Sequence, residues 1–246
     1  MTMTWRFPSC AALTLLALLV RSVQATDYYL DSSAPSGGNG SASLPFNQAN
    51  NINIGALAHG DTIFFHPGEY ARTTAFTLPF NVRFAALSGR PALGFDTDLR
   101  VGDNSQGSEL SIENLDLRIG SETARRNLRI GDDSSLLFST GAVSVVGGSF
   151  NARVSNFSVG YCNSSRTNSG VLAVSAATSP TTIDATSVYV GRGYTGSAVS
   201  GLCDFRDAVG GNLVAASVFE VGSNNSSFGR LLFGPQWRVE VGASDA

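Results

Sequence analysis

The chain has 246 residues, of which 14% are charged and 27 are glycine, and its formal net charge is -3. There is no basic excess to neutralise phosphates, which excludes a nucleic-acid partner, and three cysteines are too few for a disulfide-rich scaffold. Abundant glycine and β-branched residues favour strands and tight turns over helices.

The first segment reads as a secretory signal. Arg6 supplies the positive start, Ala11 to Val20 form an uncharged apolar run, and Val23-Gln24-Ala25 offers the small residues that a signal peptidase requires. Residues 1–25 are therefore expected to be removed, leaving a secreted, extracellular chain. The apolar run is about half the length of a bilayer-crossing helix, so no membrane span is expected. The polar, mixed segment from Trp237 to Ala246 is unlike a lipid-anchor signal.

Next comes a stretch outside any repeat. Asp61-Thr62 predicts the start of a strand, Ile63 to Phe65 its buried body, and Pro67-Gly68 the turn before Glu69-Tyr70. Together with Tyr28-Tyr29-Leu30-Asp31, the loop Gly37-Gly38-Asn39-Gly40-Ser41 and Pro45-Phe46, the run Gly60 to Tyr70 resembles the opening of extracellular right-handed β-helix proteins of the pectate-lyase-like superfamily. The resemblance implies an N-terminal cap and first coils, taken as residues 26–95, that cover an otherwise unpaired strand edge. Enzymes of that group work on one outer sheet with clustered aspartates, calcium and an arginine base, or a histidine. None of their motifs matches here well enough to carry a residue over, and His59 and His66 are expected in turn or core roles.

From residue 96 to 246 the chain repeats. The unit apolar, any, apolar, glycine recurs at Leu99–Gly102, Leu128–Gly131, Phe157–Gly160, Val188–Gly191 and Phe219–Gly222, with glycines 29, 29, 31 and 31 residues apart. A sixth copy, Val239–Gly242, follows after 20 and predicts a shortened last coil. Alternation of period two marks a strand with one face buried, and the glycine permits a turn with positive φ. A second apolar run is read at Glu109–Ile112, Ser135–Phe138, Val171–Val174, Leu202–Phe205 and Arg230–Phe233, and a third at Leu115–Leu117, Val143–Val145 and Leu213–Ala216. Three short strands in a period near 30 predict an all-β, right-handed parallel β-helix (a solenoid) of about five to six coils. An antiparallel sandwich also has many short strands, but it predicts no fixed period. The glycine-ended repeats are similar to those of bacterial surface and autotransporter-type solenoids, which implies a cell-surface or matrix setting.

Candidate chemistry is sparse. Arg100 and Arg129 occupy the same outward position on adjacent coils and offer a contact for an acidic sugar, although that column continues as Ser158, Tyr189, Glu220 and changes sign. Asp103 and Asp132 follow consecutive repeat glycines, and stacked about 4.8 Å apart they are near enough to share a calcium ion; the competing reading is that aspartate favours turns. No other cofactor is indicated. Asp96 and Asp98 fit a solvated strand edge. Cys203 falls in an inward column and Cys162 in a turn, so one disulfide between them is allowed but geometrically demanding. Asn39, Asn156, Asn163, Asn224 and Asn225 satisfy the N-glycosylation pattern of a glycoprotein.

These readings point to a secreted, non-catalytic β-solenoid for surface or matrix association or for binding extracellular polysaccharide. The alternatives are a polysaccharide lyase or glycoside hydrolase centred on Asp132, Asp103, Arg129 and Arg100, and part of a larger solenoid adhesin. An uncovered C-terminal strand edge would predict self-association.

Overall fold

The computed structural model describes residues 24–78, 80–102, 107–132, 138–163, 166–223 and 226–242. These residues form a parallel β-solenoid of about five turns, roughly 29 residues each, with no α-helix among them. One face is a single sheet of β1 (Asp27–Leu30), β2 (Asp61–Phe65), β5 (Val82–Ala86), β8 (Ser108–Glu113), β11 (Phe138–Val146), β13 (Thr167–Ser175), β15 (Ala198–Phe205) and β17 (Ser227–Phe233). The second sheet bends over the other two faces. It contains β3 (Glu69–Arg72), β4 (Phe76–Leu78), β6 (Ala92–Phe95), β7 (Leu99–Val101), β9 (Asp116–Ile119), β10 (Arg126–Asp132), β12 (Ser149–Tyr161), β14 (Thr181–Arg192), β16 (Gly211–Val221) and β18 (Trp237–Val241). Early coils use separate strands for these two faces, whereas β12, β14 and β16 each run across both and bend near residues 155 and 186, where the ladder slips.

The repeat expected from the sequence is realised as one interior stack. Leu78, Val101, Ile130, Val159, Val190 and Val221 are successive Cα partners, and so are Phe76, Leu99, Leu128, Phe157, Val188 and Phe219. All are buried except Phe219 and Val221, which pack on the core from the last coil. Each fully buried aliphatic or aromatic side chain contributes on the order of 1.5–3 kcal/mol. In the first coils this interior is aromatic: Phe65, Phe84, Phe76 and Phe95 meet in sequence at centroid distances of 5.5, 5.8 and 5.3 Å.

Two of the weaker runs are displaced from their expected places. The second column passes through Leu110, Val143, Leu172, Cys203 and Leu231, so its member in the second repeat is Val143 and not a residue of Ser135–Phe138. The strand that contains Phe138 starts five residues ahead of Val143, aligned with Thr167. A fixed offset from Gly131 fails because solenoid corners accept loops of different length while the strands stay in register. Val143–Val145 therefore leave the third run, whose true members include Ile119, Ala152, Ile183 and Leu213. The sixth unit is also reassigned: Val239 and Val241 stack on Leu213 and Ala215, on the third face, rather than on Phe219 and Val221.

The corner between the glycine-ended strands and the first sheet is a crossing of backbone on backbone. Gly160 has φ +61, and a Cβ there would stand 1.9 Å from the Ser200 carbonyl oxygen; facing it, a Cβ on Gly201 would stand 2.2 Å from the Val159 oxygen. Gly141, Gly170, Gly201 and Gly229 are Cα partners, a second glycine ladder that interlocks with the repeat-ending one.

The segment before β3 is a cap. The buried Asp61 carboxylate accepts from the Thr26 and Ala58 amides, both at 2.8 Å. Tyr70 donates from its hydroxyl to the His66 carbonyl at 2.9 Å. Buried Arg72 reaches the Ala49 and Ile52 carbonyls at 2.7 and 2.9 Å, tying two 3-10 turns (Ala49–Asn51 and Ile54–Ala56) to the first coil. Burial lowers the Arg72 pKa from its ordinary value.

Candidate functional site

The arginines expected to face outward do so, and they are absorbed into a ladder of their own. Arg100 and Arg129 are Cα partners on β7 and β10; Arg100 lies 4.0 Å from Asp98, and Arg129 lies 3.9 Å from Asp132. Asp132 is aligned with Tyr161 and Tyr161 with Arg192, while Ser158 is aligned with Tyr189 and Tyr189 with Glu220. The Arg192 guanidinium covers the Tyr161 and Tyr189 rings at 5.3 and 4.7 Å and pairs with Glu220 at 2.8 Å. Burial raises the Tyr161 pKa, with Asp132 adding to the shift and Arg192 opposing it. The cluster is a brace between coils whose opposite charges meet one another, and the Asp132 side chain is only 7% exposed. Asp103 lies outside the described residues. Among the described residues no three His, Cys, Asp or Glu side chains gather as a metal site.

A longer depression lies on the face built by β3, β6, β9, β12 and β14. One outward column there runs Ala71, Gly94, Arg118, Asn151, Thr182, and its neighbour runs Glu69, Ala92, Asp116, Ser149. Small side chains in the early strands leave a hollow of about 530 Å³ rimmed by Glu69, Asp116 and Arg118. A second hollow of about 520 Å³, between Arg118, Glu122 and Arg153, continues over Gly120, Asn151 and Thr182. Arg118 and Asn151 line both, so the two hollows form one groove across five strands, about 19 Å at the usual strand spacing.

Most of the groove's charges are matched. Asp116 accepts from Arg90 at 2.6 Å, Arg118 reaches Asp96 at 3.4 Å, and Arg153 pairs with Glu122. A side chain on Gly94 would stand 2.8 Å from the Arg118 guanidinium, so the glycine is what lets that group lie along the groove floor. No sequence motif marks this site, because its signal is a set of small residues brought together only by the register of neighbouring strands.

The remaining candidates have local roles. Asn127 donates to the Asp98 carboxylate at 2.9 and 3.0 Å, and Asn156 donates from Nδ2 to Asn127 Oδ1 at 2.9 Å. Asp98 thus heads a polar ladder at a partly solvated corner, and the Asn156 nitrogen that a glycan would occupy serves as a rung. Asn39 and Asn163 are exposed, while Asn224 and Asn225 lie outside the described residues. Cys203 points inward between Leu172 and Leu231 as its column implied, Cys162 is buried after Gly160, and no disulfide joins them. Arg125 donates from Nη2 to both Asp184 carboxylate oxygens at 2.8 and 2.9 Å and so ties its coil to the second one on. The His59 ring packs edge-on against Phe80 at 5.2 Å, and the His66 carbonyl accepts from Tyr70, so both histidines serve the cap. Compared with protein families, with curated proteins and with solved structures, the chain finds no match.

Proposed function

We propose that this chain is a secreted, non-catalytic β-solenoid that binds extracellular polysaccharide along the groove on the third face. One observation carries the reading: an open depression spans five strands, and Asp116, Arg118, Asn151, Arg153 and Thr182 among its lining residues supply hydrogen-bonding groups. Successive strands are about 4.8 Å apart, a step close to the rise of one sugar residue in an extended glycan, so repeated side chains meet repeated hydroxyls. The signal-like residues 1–25 support secretion, and the likeness of Tyr28 to Tyr70 supports kinship with the pectate-lyase-like superfamily. The acceptor patterns at exposed Asn39 and Asn163 support a glycoprotein. Sedimentation of the purified chain with insoluble wall and matrix polysaccharides tests the function. Retention by at least one fraction, reduced by Arg153→Ala, is expected; absence from every fraction overturns the proposal.

An enzyme reading has one observation of its own. Glu69 and Asp116 stand in the same column two strands apart, a strand separation of about 9.6 Å that brings the carboxyl groups into the inverting range only if the side chains lean together. Release of reducing sugar, abolished by Glu69→Gln, would favour a glycoside hydrolase.

A further inference from the structure

We infer that the groove takes a neutral glycan and rejects polyuronates, with Arg118 as the central hydrogen-bond donor; this rests on the polysaccharide-binding reading. The argument is one of charge. Of the two arginines lining the groove, Arg118 is engaged by Asp96 and Arg153 by Glu122. The carboxylates Glu69, Asp116 and Glu122 line the same hollows, and of these Asp116 is held by Arg90 and Glu122 by Arg153. No column of unopposed positive charge runs along the floor, whereas a polyuronate brings one carboxylate per sugar past Glu69 and Asp116.

Arg118 still has donors to give. A guanidinium carries five N–H groups in a fixed fork, and Arg118 meets Asp96 through Nη2. Its side chain is 53% exposed, and it lies over Gly94 at the junction of the two hollows. Held there by Asp96, it is oriented before a ligand arrives, which limits the ordering cost of binding. Asn151, its Cα partner on β12, adds an amide that donates and accepts in the same row.

The test is affinity electrophoresis with soluble neutral glycans (β-glucan, galactan, mannan) and with polygalacturonate and alginate, at about 50 and about 500 mM salt. Binding of a neutral glycan that changes less than about twofold with salt is expected. Arg118→Ala and, separately, Asn151→Ala should each weaken it about tenfold, with thermal unfolding confirming that both variants are folded. Arg129→Ala, on the braced face, should leave it unchanged. Polyuronate binding that falls with salt and is lost in Arg118→Ala overturns the neutral-glycan inference while the groove reading stands. Glycan binding lost in Arg129→Ala but kept in Arg118→Ala moves the site to the other face and overturns both. No binding to any glycan of either class also overturns both.

Discussion

At Gly160 the backbone holds φ +61 with the Ser200 carbonyl where a side chain would begin. Left-handed backbone costs any other residue about 1–2 kcal/mol, before the clash is counted. Gly160→Ala is therefore expected to lower unfolding stability by at least about 2 kcal/mol, read from the urea midpoint; a smaller loss would mean the crossing is looser than its geometry. Cys203 gives a second prediction. It is fully buried between Leu172 and Leu231, and burial raises the pKa of its thiol far above the ordinary value. Mass spectrometry after mild alkylation should find Cys203 unmodified in the native protein and modified after denaturation. Labelling of Cys203 under native conditions would contradict the interior column.

Strand by strand, the first run was legible because glycine ends it at nearly constant spacing, so Val101, Ile130, Val159 and Val190 identify their own stack. The second and third runs were only partly legible. Their position depends on corner loops of varying length, so spacing from the repeat glycine does not assign Val143 to its column. The groove was illegible for a related reason, since Ala71, Gly94 and Arg118 become neighbours only through register. Pairing between strands also sets a pH dependence. The Arg83 guanidinium, hydrogen-bonded across β5 and β8, holds the Glu113 carboxyl below its ordinary range against a smaller opposing effect of burial. A depressed folded-state value means that the stabilisation is present above the unfolded value of about 4.3 and is lost as pH falls through the lower folded one. The stability difference between the native chain and Glu113→Gln should be below about 1 kcal/mol at neutral pH and vanish in acid. Chemical denaturation across that range checks the sign; a difference that grows in acid would reverse the assignment.

Across the described residues, strand pairing joins each coil only to its neighbours, with Arg125 reaching Asp184 two coils on, so stability is close to a sum of coil and interface contributions. The N-terminal coil is closed by Asp61, Tyr70 and Arg72, whereas β17 and β18 each end their sheets, with Phe228, Val239 and Val241 exposed. Hydrogen exchange should be slowest in β10, β12 and β14 and fastest in β17 and β18. Uniform protection from end to end would imply a single cooperative unit instead. The interlocked glycine corner has a wider consequence. It fixes the pitch of the winding at one seam and leaves the other corners to absorb length changes, so the natural module begins and ends at that seam. Duplicating the block from residue 132 to Gly160 adds one full winding with both glycine contacts restored. A gene can lengthen such a rod, and with it the number of binding steps along its side, by copying one segment without redesigning its ends.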